Sequence, residues 1–120
     1  LTGLRTLGTH YTGVMGSDAL VARMLAAFAA SGELAWPLPL PSVYRKYIDS
    51  SVADLRNIGD PDVADSLLAG LFLREFTAGL PWVHLDIGEA GFSDRDDGEI
   101  RKGCTGASVR ALCELLRTWP

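Results

Sequence analysis

The chain has 120 residues, 48% hydrophobic and 22% charged, with 11 Lys and Arg against 15 Asp and Glu for a formal net charge of −4. That is enough apolar material for one modest domain and too little length for two, and it is not the composition of a disordered, collagen-like or disulfide-stapled chain. An acidic balance with no basic stripe argues against nucleic acid as a partner, and the longest mainly apolar stretch, residues 19–30, is interrupted by Arg23 and too short to span a membrane.

The opening, "LTGLRTLGTHYTGVMGS", carries no initiating Met, no signal segment and no readable helix or strand, and it reads as cut from something longer. Ser17 or Asp18 then caps a helix that places Leu20, Val21, Met24, Leu25 and Phe28 on one stripe and stops at Gly32. Residues 36–41, Trp-Pro-Leu-Pro-Leu-Pro, cannot be helical at their prolines and predict an extended segment or edge strand. Pro41 or Ser42 starts a second helix through Tyr44, Tyr47 and Ile48. Asp60-Pro61 opens the strongest helical pattern, Ala64, Leu67, Leu68, Leu71, Phe72 and Phe76, which Gly79 ends. Val83, Leu85 and Ile87 alternate with Trp82, His84 and Asp86, the period of a strand, and a last helix carries Val109, Leu112, Cys113 and Leu116. The order predicts α/β layering with too few strands to give every apolar helix face a partner, so the piece completes a larger sheet.

Candidate chemistry is sparse. His84, between Val83 and Leu85, is read as a hydrogen-bonded histidine beside the core, and His10 lies in a Gly/Thr-rich loop without a carboxylate at ligand spacing. The cluster Asp94, Asp96, Asp97 and Glu99 fails the alternation of a calcium loop and is read as a solvated acidic loop, partly neutralised by Arg95, Arg101 and Lys102. Asp54 and Asp86 are lone carboxylates, and Cys104 and Cys113, without metal-ligand spacing, are read as reduced thiols. Gly88 and Gly91 follow the predicted strand directly, where open α/β sheets collect ligands and where glycine permits close backbone approach.

The ordered set "LTG" at 1–3, "TGVMGSD" at 12–18, "WPLPLPSVYRKYIDSSVADLRNIG" at 36–59, "LFLREF" at 71–76, "PWVHLDI" at 81–87, "FSDRDDG" at 92–98 and "RKGCTGASVR" at 101–110 resembles the C-terminal part of the leucine aminopeptidase (cytosol aminopeptidase) family. The resemblance covers nearly the whole chain as one segment, 1–120. It implies an α/β/α sandwich with a mixed sheet, phosphorylase/hydrolase-like and incomplete in this chain. It also implies a cytoplasmic, homo-hexameric exopeptidase that removes N-terminal residues, leucine among them, with two divalent metals, Zn²⁺ or Mn²⁺. In that family the metal-binding lysine, aspartates and glutamate, the second catalytic lysine and the arginine of the Asn-Thr-Asp-Ala-Glu-Gly-Arg motif precede the Leu-Thr-Gly motif. The resemblance therefore assigns no metal ligand and no catalytic residue to this chain, which alone is expected to be inactive.

What it does carry over is substrate contact. Leu1 and Gly3 match positions whose backbone binds the peptide, Leu1 also touching the residue after the cut. Ile58 matches the apolar wall on that leaving side, and Gly88 and Gly91 match the pocket for the N-terminal side chain. The chain departs from the family at Gly88-Glu89, where Ala-Gly is usual, at Asp65, where glycine is usual, and between Gly3 and Leu7, where it is shorter. A catalytically inactive remnant or paralogue acting as an interaction or assembly domain, and a small α/β ligand-binding domain, are the other readings. The partners expected are peptide substrates and the missing N-terminal part of the same protein, with neither nucleic acid nor membrane. The isolated chain is expected to be sticky or oligomeric.

Overall fold

The computed structural model describes residues 7–59 and 62–120. At its centre is a strand the sequence did not announce, β1, Thr12–Gly16. Val14 and Met15 are both fully buried, on opposite faces of the sheet, so the strand shows no apolar-polar alternation. Gly13 and Gly16 further disguise it. Gly16 is required: its Cβ would collide with the Trp82 carbonyl, where the neighbouring strand arrives.

The predicted first helix forms as α1, Asp18–Ser31, ending at Gly32. Ser17 stands at its N-cap without a capping bond. Its hydroxyl instead accepts the Trp82 backbone N–H at 3.2 Å, while the Ser17 N–H donates to the Trp82 carbonyl at 2.9 Å. Met24, Ala27 and Phe28 are the residues of α1 that bury fully, with Val21 and Leu25 partly buried beside them. Burial of side chains the size of Phe28 and Met24 contributes about 2–3 kcal/mol each.

The proline-rich segment forms β2, Ala35–Pro37, parallel to β1 and at the edge, as expected. The second helix is a correction of type: Ser42–Ile48 is a 3-10 helix, entered from Pro41. The strongest helix is shorter than expected. It forms as α2, Asp65–Arg74, after Ala64 takes a left-handed conformation (φ 40°), and Phe76 lies beyond its end. The proposed opening at Asp60-Pro61 lies outside the described residues. The strand β3, Val83–Asp86, stops one residue short of Ile87, which turns into a second 3-10 helix, Gly88–Gly91.

β1 lies between β2 and an antiparallel β3, with Val14 opposite Leu85 and Met15 opposite His84. The sheet is therefore mixed, as the resemblance implies. Helices cover both faces. Val14 packs with Met24 and Phe28 of α1 and with Ala111 and Leu115 of the last helix, α3, Val109–Arg117. On the other face a Cβ at Gly70 of α2 would meet the Met15 sulfur at 2.9 Å, and Leu68 and Leu71 pack with Ile48 of the first 3-10 helix. A small hairpin, β4 Phe92–Ser93 and β5 Gly103–Cys104, completes the described elements. The arrangement is three layers, α/β/α, with β2 and β3 as sheet edges among the described residues.

Candidate substrate-pocket wall

The stretch after β3 is built by local bonds. Ile87 leaves the strand in a helical conformation, the Ala90 N–H donates to the Ile87 carbonyl at 2.8 Å, and Gly88 takes φ +39°, where a side chain would be strained. Gly91 packs beneath Ile87: a Cβ there would stand 3.0 Å from the Ile87 Cδ1. The Lys-Gly-Cys-Thr-Gly stretch fastens this turn from outside. The Thr105 hydroxyl donates to the Ala90 carbonyl, its N–H donates to the Gly91 carbonyl at 3.2 Å, and Phe92 pairs with Cys104.

Because β3 runs against β1, its C-terminal end lies beside the start of β1 and of β2. Two adjoining clefts open there. The larger, about 600 Å³, is lined by His10, Glu33, Ala90, Asp97, Thr105 and Arg110 among others. The smaller, about 240 Å³, is lined by Thr9, His10, Glu89, Phe92, Asp94 and Arg95 among others. Gly88 and Gly91 thus belong to the turn whose Glu89 and Ala90 face the clefts. Ile58 does not join them: it lines neither cleft, is 69% exposed, and precedes Gly59, which packs on Leu68 in the α2 layer. Leu1 and Gly3 lie outside the described residues. A third cleft, about 660 Å³, lies at the opposite end of the sheet, with Asp18 and Arg74 as its charged lining residues.

Sequence reasoning missed the part of Glu33. Its side chain, 10% exposed, accepts the Ser108 N–H at 2.9 Å and the Ala111 N–H at 2.7 Å. It thereby holds the N-terminus of α3, and the Thr12 and Ser108 hydroxyls meet at 3.1 Å beneath it. No local signal reveals a cap 75 residues away in the chain. His10, set aside in the sequence as a loop residue, lines both clefts. His84 lies behind them in β3; burial lowers its proton affinity and the nearby Asp86 opposes that.

Asp96 is engaged by the Lys102 N–H at 2.9 Å and faces Arg101 at 3.5 Å, as a solvated acidic loop should be. Cys104 and Cys113 are free thiols. Among the described residues, no three His, Cys, Asp or Glu side chains group as a metal ion would need. No helix among the described residues is long and apolar enough to cross a membrane.

Comparison with known proteins gives the family. Residues 1–113 match the cytosol aminopeptidase family, catalytic domain. The chain is 43% identical to a probable cytosol aminopeptidase of Alkaliphilus metalliredigens, over 98% of this chain and 24% of that protein. It is 47% identical to one of Leifsonia xyli subsp. xyli, over 91% of this chain and 24% of that protein. The bottromycin maturation enzyme BotP, solved in complex with Mn, superposes with a TM-score of 0.89 at 37% identity, over 96% of this chain and 26% of that one. The chain thus spans about a quarter of the length of the curated relatives it matches. With the motif order, the mixed α/β/α layering and the match across 1–113 in agreement, the chain belongs to the cytosol aminopeptidase family.

Proposed function

We propose that the chain is the C-terminal part of the catalytic domain of a dinuclear-metal leucyl aminopeptidase, which removes N-terminal residues from peptides, and that its contribution is the wall of the substrate pocket. The observation that carries this reading is the match of residues 1–113 to the family's catalytic domain. It is supported by the position of Gly88 and Gly91 in the turn whose Glu89 and Ala90 line the two clefts.

In this reading Leu1 and Gly3 hold the peptide backbone, Ile58 forms the apolar wall on the leaving side, and Gly88 and Gly91 leave room for the N-terminal side chain. The Glu89 carboxylate in the smaller cleft disfavours a substrate with an acidic N-terminal residue. Two divalent metals, Mn²⁺ or Zn²⁺, belong to other residues of the enzyme; the Mn of the BotP complex supports a divalent metal in this fold. The whole enzyme is read as cytoplasmic and homo-hexameric, with peptides as substrates and the N-terminal part of the same protein as this segment's partner. The segment alone is read as inactive.

The test is a graft. The matching segment of the Leifsonia xyli protein is replaced by this chain, and leucine-amide hydrolysis with Mn²⁺ is measured for the graft, the unaltered relative and the 120-residue chain. Hydrolysis by the graft and none by the chain alone is expected. Turnover by the chain alone, or a folded graft that is inert while the relative is active, overturns the reading.

A further inference from the structure

We infer that the outward face of α3 is a docking surface for the remainder of the same polypeptide. Helical geometry puts Val109, Leu112, Cys113 and Leu116 within about 100° of one another, and roughly 130° around the helix from Ala111 and Leu115. Ala111 and Leu115 are the side chains by which α3 packs on α1. The other face is nevertheless apolar and open: Val109 is 55%, Leu112 39% and Leu116 69% exposed, and Cys113 is exposed beside them. The charges of α3, Arg110, Glu114 and Arg117, lie on the remaining side, with Glu114 and Arg117 paired at 2.9 Å. A helix that ended its layer against water would show polar residues where this one shows a second apolar stripe.

The size of the exposed surface argues for a large occupant. The chain exposes 7724 Å², against about 6,300 Å² for a compact protein of its mass. Its radius of gyration is 15.2 Å, against about 13.6 Å for a compact chain of this length. The excess area is larger than the roughly 800 Å² that one partner gives to a standard interface. Relatives of which this segment is 24% have the chain to cover it. This favours the rest of the enzyme over a second copy, and it rests on the reading above that the segment completes a larger catalytic domain.

Cys113 lies in the stripe and serves as the probe. Its alkylation by iodoacetamide, read by mass spectrometry of the native protein, is compared in the graft and in the 120-residue chain at a dilution where the chain sediments as a monomer. The expected result is a slowing of at least about tenfold in the graft, reversed by Leu116→Asp. Leu116→Asp should leave the melting curve of the isolated chain unchanged, because Leu116 stands in water there. Equal reactivity in the two proteins overturns the inference. So does protection that appears in the isolated chain only as concentration rises, which would make a second copy the occupant. Should the graft not fold, the same comparison is made in the relative's own enzyme with a cysteine placed at the position aligned with Cys113. The readout needs no turnover, so a graft that protects Cys113 and hydrolyses nothing defeats the aminopeptidase reading and leaves the docking surface standing.

Discussion

At the scale of the residue, His84 shows how a half-buried strand position acquires a pH dependence. Folding moves its imidazole from water to the face of the sheet that Met15 occupies, and burial lowers its proton affinity below the ordinary 6.5 more than the Asp86 carboxylate raises it. As the pH falls, the unfolded chain takes up the proton first. The contribution of His84 to stability is therefore complete above about pH 6.5 and is lost as the pH drops from there through the lower folded value. Chemical denaturation of the wild type and of His84→Gln at pH 8, 7, 6 and 5 tests this. The wild type should lose more stability than the variant below pH 6.5, and identical profiles would remove His84 as the cause. The half-buried strand position of His84 was legible from its sequence neighbours, two apolar residues in a period-two pattern. The direction of its shift was not, because it depends on what α2 and β1 bring against that face.

At the scale of the element, α3 is held at a distance. Ser108 enters the helix in a left-handed conformation (φ 72°) and offers no capping bond of its own. The Glu33 carboxylate supplies the acceptors instead, where the positive end of the helix dipole favours a negative charge. Glu33→Ala should leave two N–H groups without these acceptors and cost about 2 kcal/mol, lowering Tm by about 8 °C, while Glu33→Gln, which keeps one acceptor, should cost about half as much. Differential scanning calorimetry of both variants checks the graded loss; two variants that melt with the wild type would mean that water serves these groups equally well. Elements whose signals are local, such as α1 with its stop at Gly32 and the edge strand at Trp36, were readable from the sequence. The 3-10 winding of Ser42–Ile48, the late start of α2 and the strand β1 were not. β1 is five residues long, two of them glycine, with both faces covered, so it lacks the alternation by which strands are recognised.

At the scale of the whole molecule, the apolar surface that the layers leave open governs behaviour in solution. Phe76, Leu80, Phe92 and Leu116 are all exposed, on α3, on β4 and on the segment that follows α2. A net charge of −4 opposes association but leaves these apolar side chains uncovered. The isolated chain should therefore associate, with an apparent mass in sedimentation equilibrium that rises with concentration. Sulfate should strengthen the association, because its exclusion from protein surface favours apolar burial, whereas contacts between charges would weaken with added salt. Leu116→Asp should weaken it by placing a carboxylate in the α3 stripe. If the chain instead sediments as a single species of its own mass across the series, with and without sulfate, its exposed side chains are too scattered to act as a patch.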